Sequence, residues 1–181
     1  LLNKINSSEG KFIEIGAGAG RTAKVILSIN QKAKYVIADL PPAIEVSYNN
    51  LKSTFPEKKI IKCFNLEGKD LDNVFKQYDI LFIFPHQIEF FSKKTFDMSI
   101  AIDCLHEMEK KIIKDYMINF EKVSKSLYFK VWEHAGLPFS FYQNYSAHKK
   151  EDYFIKDSWK EHLKERCLYP ATFFHFGYEF F

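Results

Sequence analysis

Cysteine is scarce and scattered. The three residues Cys63, Cys104 and Cys167 are far apart and form no C-x-x-C pair. That excludes a disulfide framework and a regularly spaced zinc site, and it fits reduced thiols in a cytoplasmic protein. Charge of one sign never accumulates either. Lysine and arginine are interleaved with acids to a net +3, so nothing in the balance points to nucleic acid as a partner. No apolar run reaches the length of a membrane span, and the opening Leu-Leu-Asn-Lys-Ile-Asn lacks the basic-then-apolar order of a signal peptide. The expected location is the cytoplasm, with no integral membrane segment. Internal repeats and low-complexity linkers are also missing, so residues 1–181 are expected to form one domain. No methionine opens the chain and only ten residues precede the first apolar run, so an N-terminal substrate-recognition segment is expected to be lacking from this domain.

Aromatic residues are abundant by contrast. Nineteen phenylalanines and ten tyrosines are too many for a surface to carry, so many rings must be buried or line a pocket. The most informative stretch is Lys11-Phe-Ile-Glu-Ile-Gly-Ala-Gly-Ala-Gly-Arg21. A short apolar run breaks into Gly16, Gly18 and Gly20, and Ala23, Ile26, Leu27 and Ile29 follow at helical spacing. This reads as buried parallel strand, glycine turn and helix. Glycine suits a turn of positive φ or a close approach of backbone to ligand, and loop N–H groups at a helix start suit an anionic or electron-rich group. A second apolar run, Tyr35-Val-Ile-Ala-Asp39, ends in a carboxylate 19 positions beyond Gly20. That is where a nucleotide-binding βαβ unit puts its ribose acceptor.

Spacing separates two cofactors. A dinucleotide site wants G-x-G-x-x-G, whereas here the third glycine falls one place early and position 21 is arginine. The pattern E-x-G-x-G-x-G from Glu14 to Gly20 resembles motif I of the class I S-adenosylmethionine (SAM) dependent methyltransferases. The resemblance spans residues 11–132. It implies an α/β, Rossmann-like, doubly wound and mostly parallel sheet with helices on both faces, and SAM as cofactor. By the same resemblance Glu14 lies near the methionine end of SAM, Asp39 holds the ribose, and Gly16, Ala17, Gly18, Gly20 and Leu40 complete that half of the site. A tight turn in some other α/β protein is the plain alternative.

Further along, Pro41-Pro42 should start a helix running to about Thr54, with Ile44, Val46, Tyr48, Leu51 and Phe55 inward. Residues 59–64 read as a short strand and 68–77 as a short helix. The near-continuous apolar runs 79–84 and 96–103 read as buried parallel strands. Their separation resembles the third and fourth strands of the methyltransferase fold, which implies that Pro85, His86, Gln87 and Ile88 sit over the adenine, with the Gln87 amide oxygen on its amino group. The competing register makes residues 59–64 the third strand. A long amphipathic helix should follow Asp103, carrying Ile112, Ile113, Tyr116, Met117, Phe120 and Val123. A fifth strand is expected at 126–132, and a closing strand at 171–180 with a bend at Gly177.

A narrower resemblance, carried by Asp39-Leu-Pro-Pro-Ala-Ile44, Phe82-Ile-Phe-Pro-His86 and Glu107-Met108, is to the sugar O-methyltransferases of surface-polysaccharide gene clusters. It implies a sugar or other small-molecule acceptor. Methyl transfer to a hydroxyl needs positioning and one base. His106 is the candidate, since Leu105-His106 resembles the Leu-His after strand four in small-molecule O-methyltransferases; a cap or packing role is its alternative. Glu107 is read as orienting His106 or binding sugar hydroxyls, against a helix-dipole role. Asp103 is read as contacting the cofactor amino group or the acceptor hydroxyl, against a capping role. Asp103, Glu133 and His134 have no fixed metal-ligand spacing, and no metal is assigned. His148, His162 and His175 read as surface or packing residues. Open alternatives are a non-sugar acceptor, a non-catalytic SAM-binding domain and an NAD(P)-dependent reductase.

Overall fold

The computed structural model describes residues 9–65, 70–132, 148–166 and 173–180. Strands β1 (Lys11–Ile15), β2 (Lys34–Ala38), β3 (Ile60–Lys62), β4 (Ile80–Ile83), β5 (Met98–Ile102) and β6 (Ser126–Trp132) run parallel. Strands β7 (Lys160–Arg166) and β8 (Phe173–Glu179) add an antiparallel edge, and the sheet order is β3-β4-β2-β1-β5-β6-β8-β7. The order reverses between β1 and β5, which places a crevice at the carboxyl tips of β1, β2 and β5.

Alternation along the strands feeds two cores. Phe12, Tyr35, Ile37, Ile80, Phe82 and Ile100 face one side and pack with Ala23, Ile26 and Leu27 of helix α1 (Arg21–Ile29) and Ile44 and Leu51 of α2 (Pro41–Thr54). Ile13, Ile15, Val36, Leu81 and Ala101 face the other, against Leu71 and Phe75 of α3 (Asp70–Gln77) and Ile113, Met117, Phe120 and Val123 of α4 (Lys110–Val123). Being covered on both faces is why these strands read as unbroken apolar runs. The doubly wound α/β fold anticipated from the sequence is the fold observed.

Three side chains expected inward are not: Ile29 is 54% exposed, Val46 51% and Ile112 43%. Ile29 ends its helix, and on α2 it is Ser47 that is buried, tucked under the glycine turn. The register is the one that makes residues 79–84 the third strand, since β4 pairs with β2 and β3 lies outside it at the edge. The long helix is shorter than expected. A 3-10 turn, Leu105–Glu107, precedes it and α4 starts at Lys110. The irregularity near Gly177 is a register shift between Glu161 and Leu163 on the facing strand β7. Ala171 and Thr172 of the expected closing strand lie outside the described residues.

Candidate active site

The glycine turn is built by three different constraints. Gly16, Gly18 and Gly20 all have positive φ, at 61°, 54° and 74°. A Cβ on Gly16 would stand 2.6 Å from Cys104 Cβ and 3.0 Å from its Sγ, so this glycine lets the turn after β5 close on the tip of β1. A Cβ on Gly20 would meet Ser47 Cβ at 3.2 Å and Leu51 at 3.4 Å, so that glycine admits α2. Around Gly18 nothing lies within 4 Å. Gly18 faces open space, and Ala17 beside it is half-buried against the α1 and α2 side.

The N–H groups of these glycines are engaged inside the protein. Gly16 N donates to Ala38 O at 3.1 Å, and Gly20 N to Ala17 O at 2.9 Å. Gly18 N donates to Asp39 Oδ2 at 2.9 Å, while Leu40 N donates to Asp39 Oδ1 at 2.7 Å. Of the loop N–H groups read as suited to an anionic or electron-rich group, those of the three glycines are thus used within the protein. Asp39, 8% exposed, locks the turn to β2, and each of its oxygens retains a lone pair for a further donor. Leu40 is 64% exposed at the same tip.

Beneath the turn Glu14 is 2% exposed on β1 and accepts from the Tyr35 hydroxyl at 2.8 Å. Burial pushes its carboxyl up to about 7; hydrogen bonds from Tyr35 and Thr22 oppose the rise and the charge of Asp39 assists it. Tyr35 is itself driven well above its ordinary value by burial and by Glu14. For an acid whose folded pKa is raised, the stability contribution is full below the unfolded value and lost as pH rises through the folded one. From 4.5 to about 7 the loss is roughly 3 kcal/mol. Glu14→Gln should flatten the decline in stability between those pH values and make the protein more stable than wild type above pH 7, read by urea unfolding at pH 5 and pH 8.

On the β4 side His86 is exposed and stacks on Phe84, with centroids 6.0 Å apart, and Phe84 stacks on Phe64 at 4.5 Å. Gln87 is different. It is 1% exposed, its Oε1 accepts from Phe84 N at 2.8 Å and its Nε2 donates to Cys63 O at 2.8 Å. The adenine contact expected of its amide oxygen does not fit this arrangement, because the amide pins the 3-10 turn Pro85–Phe90 to the loop after β3. Ile88 is likewise fully buried.

On the β5 side Asp103 adopts φ 55°, in the left-handed region. Its Oδ2 accepts from Lys130 Nζ at 2.8 Å, and its Oδ1 is buried with no hydrogen-bond partner among the described residues. Asp103 is not a cap, since the N-cap position of the following 3-10 turn is Cys104 and that of α4 is Glu109, neither with a side-chain cap hydrogen bond. For the same reason Glu107 is not a first-turn glutamate of α4. Glu107 is exposed, and its carboxyl is raised by partial burial and then by Asp103. His106 is 2% exposed. Burial lowers its pKa, Asp103 opposes this, and His148 and Lys130 add to it. His148 is a packing residue, 2% exposed, with Nε2 at 2.6 Å from Met108 O. Sequence reasoning missed Lys130; a lone lysine within a strand pattern was the only signal. Glu133 and His134 lie outside the described residues, and among those described no group of three or more His, Cys, Asp or Glu is placed to hold a metal ion. No described helix is long and apolar enough to cross a membrane.

The parallel sheet with helices on both faces is the fold of the class I methyltransferases. Solved structures similar to this chain include magnesium protoporphyrin IX methyltransferase (ChlM) from Synechocystis PCC 6803 with bound S-adenosylhomocysteine (SAH), at TM-score 0.68 and 10% identity over 100% of this chain and 78% of that one. ChlM has also been solved with SAM. The N-methyltransferase NodS from Bradyrhizobium japonicum WM9 matches at TM-score 0.59 and 13% identity, over 98% and 90%. The pyocyanin biosynthetic protein PhzM matches at TM-score 0.62 and 12% identity over 99% of this chain, which spans 53% of PhzM. At these identities the likeness is one of fold. No family model and no curated protein matches the sequence.

Proposed function

We propose that this chain binds SAM across the tips of β1 and β2 and transfers its methyl group to a hydroxyl of a sugar or glycan precursor. The observation that carries this reading is the Asp39 lock. The glycine N–H groups are spent on Ala38, Asp39 and Ala17, so what the crevice offers is a carboxylate with spare lone pairs. That suits ribose hydroxyls and a cationic nucleoside, and it disfavours the diphosphate of a dinucleotide. The open space at Gly18 supports a ligand lying over the turn. The exposed His86 on its aromatic stack offers the base a flat neighbour. When bound, SAM supplies a methyl group on an electron-poor sulfonium.

The protein's own part is positioning. Asp39 holds the ribose, Gly18 leaves the approach clear, and the turn after β5 meets the acceptor. Two carboxylates there, Asp103 and Glu107, suit the neighbouring hydroxyls of a sugar ring, each carboxylate oxygen being an acceptor. The Glu107-Met108 and Phe82–His86 resemblances agree with a sugar acceptor. The test is calorimetry with SAH and NADH. SAH should bind and NADH should not; NADH binding without SAH binding overturns the proposal. SAH binding with no methyl transfer to any small-molecule hydroxyl would leave a SAM-binding module.

A further inference from the structure

His106, the base suggested by the sequence, is 2% exposed and lies on the inner side of its turn. Glu107, the next residue, is on the outer side and exposed. Their 3-10 turn is held against the cofactor half of the crevice, because Cys104 fills the space where a Gly16 Cβ would stand and its Sγ approaches Ile15 O at 3.5 Å. β5 and β6 lie on the opposite side of β1 from β2 and Asp39. Glu107 therefore stands across β1 from Asp39, on the β5 side of the strand tips.

Asp103 shapes that side of the tips. A non-glycine residue at φ 55° costs energy that surrounding structure must offset, and such residues gather at functional sites. Here the offset is the Lys130 pair, 2.8 Å long and with Lys130 only 18% exposed. It secures Oδ2 and leaves Oδ1 buried without a donor among the described residues, a costly state for a carboxylate oxygen unless a ligand supplies one.

Resting on the SAM reading above, we propose that Glu107 takes the proton from the acceptor hydroxyl, that Asp103, steadied by Lys130, accepts a hydrogen bond from a neighbouring hydroxyl, and that the acceptor bears no negative charge beside the reacting group. The acceptor oxygen forms its bond to the methyl carbon as the carbon–sulfur bond breaks and its electron pair goes to sulfur. The proton shed by that oxygen passes to a Glu107 carboxylate oxygen. The exposed Glu107 carboxylate stands on the β5 side and the Asp39 carboxylate at the glycine turn, and Lys130 is already paired with Asp103. An anionic acceptor would meet repulsion on entry.

The experiment supplies methyl-labelled SAM with methyl glucoside, methyl rhamnoside and myo-inositol, and with glucose 6-phosphate and glucuronate as anionic counterparts. Label should enter at least one uncharged compound and none of the anionic ones. Glu107→Gln should lower kcat on the best acceptor about 100-fold with SAH affinity by calorimetry unchanged. Lys130→Met should lower kcat about 10-fold, and Lys130→Arg should restore most of it. Preference for an anionic acceptor, no labelling of any uncharged one, or wild-type turnover in Glu107→Gln overturns this inference. SAH binding in the same samples shows whether the SAM reading survives it; loss of SAH binding by the wild type would remove both.

Discussion

Replacing Asp39 with alanine is expected to weaken SAH binding by roughly 10- to 150-fold, the equivalent of about 1.5–3 kcal/mol for a hydrogen bond to a charged group. The loss has two sources. The ribose loses its acceptor, and Gly18 N and Leu40 N lose the oxygens they donate to at 2.9 and 2.7 Å, so the turn that should cover the nucleoside is released as well. Asp39→Asn separates the two. Asparagine has the right shape, but one of its terminal atoms is a donor, which must then face Gly18 N–H or Leu40 N–H. It is therefore expected to bind SAH little better than alanine, although its change of shape is the smallest available. Wild-type affinity in either variant, measured by calorimetry, would move the ribose site away from β2.

What the sequence made legible is what depends on neighbours along the chain. Apolar runs bounded by turns revealed β1, β2, β4 and β5, and the Pro41-Pro42 start set α2 at Pro41–Thr54. The first glycine turn and Asp39 followed from the same local logic. What stayed hidden depends on partners that only the fold brings together. The Gln87 amide meets Cys63 O across 24 residues, and Lys130 meets Asp103 across 27; no spacing rule announces either. Strand β7, Lys-Glu-His-Leu-Lys-Glu-Arg, carries one apolar residue because it is a sheet edge. Exposed charges such as Glu161, Lys164 and Glu165 protect an edge from further pairing, and they erase the apolar pattern that would reveal a strand. His106 and Glu107 illustrate the limit within the site. As adjacent letters they read as a base and the group that orients it or binds hydroxyls, and only the fold separates the buried ring from the exposed carboxylate.

The three glycines look alike in sequence, yet their substitution by alanine should give three different proteins. Gly16→Ala adds the cost of a left-handed alanine, about 1–2 kcal/mol, to an overlap with Cys104 at 2.6 Å that only a backbone shift relieves, a further 1–3 kcal/mol or so. Against the roughly 5–15 kcal/mol that keeps a domain folded, this is a major loss, read as a fall of about 5–15 °C in Tm. Its cause can be isolated. Cys104→Ala removes the sulfur but leaves the nearest atom, Cβ, in place, so it should not rescue Gly16→Ala; Cys104→Gly removes that atom and should recover the overlap portion, leaving only the conformational cost. Gly18→Ala meets nothing within 4 Å, so its stability should fall by only the 1–2 kcal/mol of the left-handed backbone. Its new methyl group stands where the nucleoside should lie, and SAH affinity should fall more than tenfold. Gly20→Ala lies between, since Ser47 Cβ at 3.2 Å belongs to a helix that has to move slightly. If Gly18→Ala bound SAH as wild type while Gly16→Ala lost only stability, the open space over the turn would be mere surface, and the ligand would have to lie elsewhere along the strand tips.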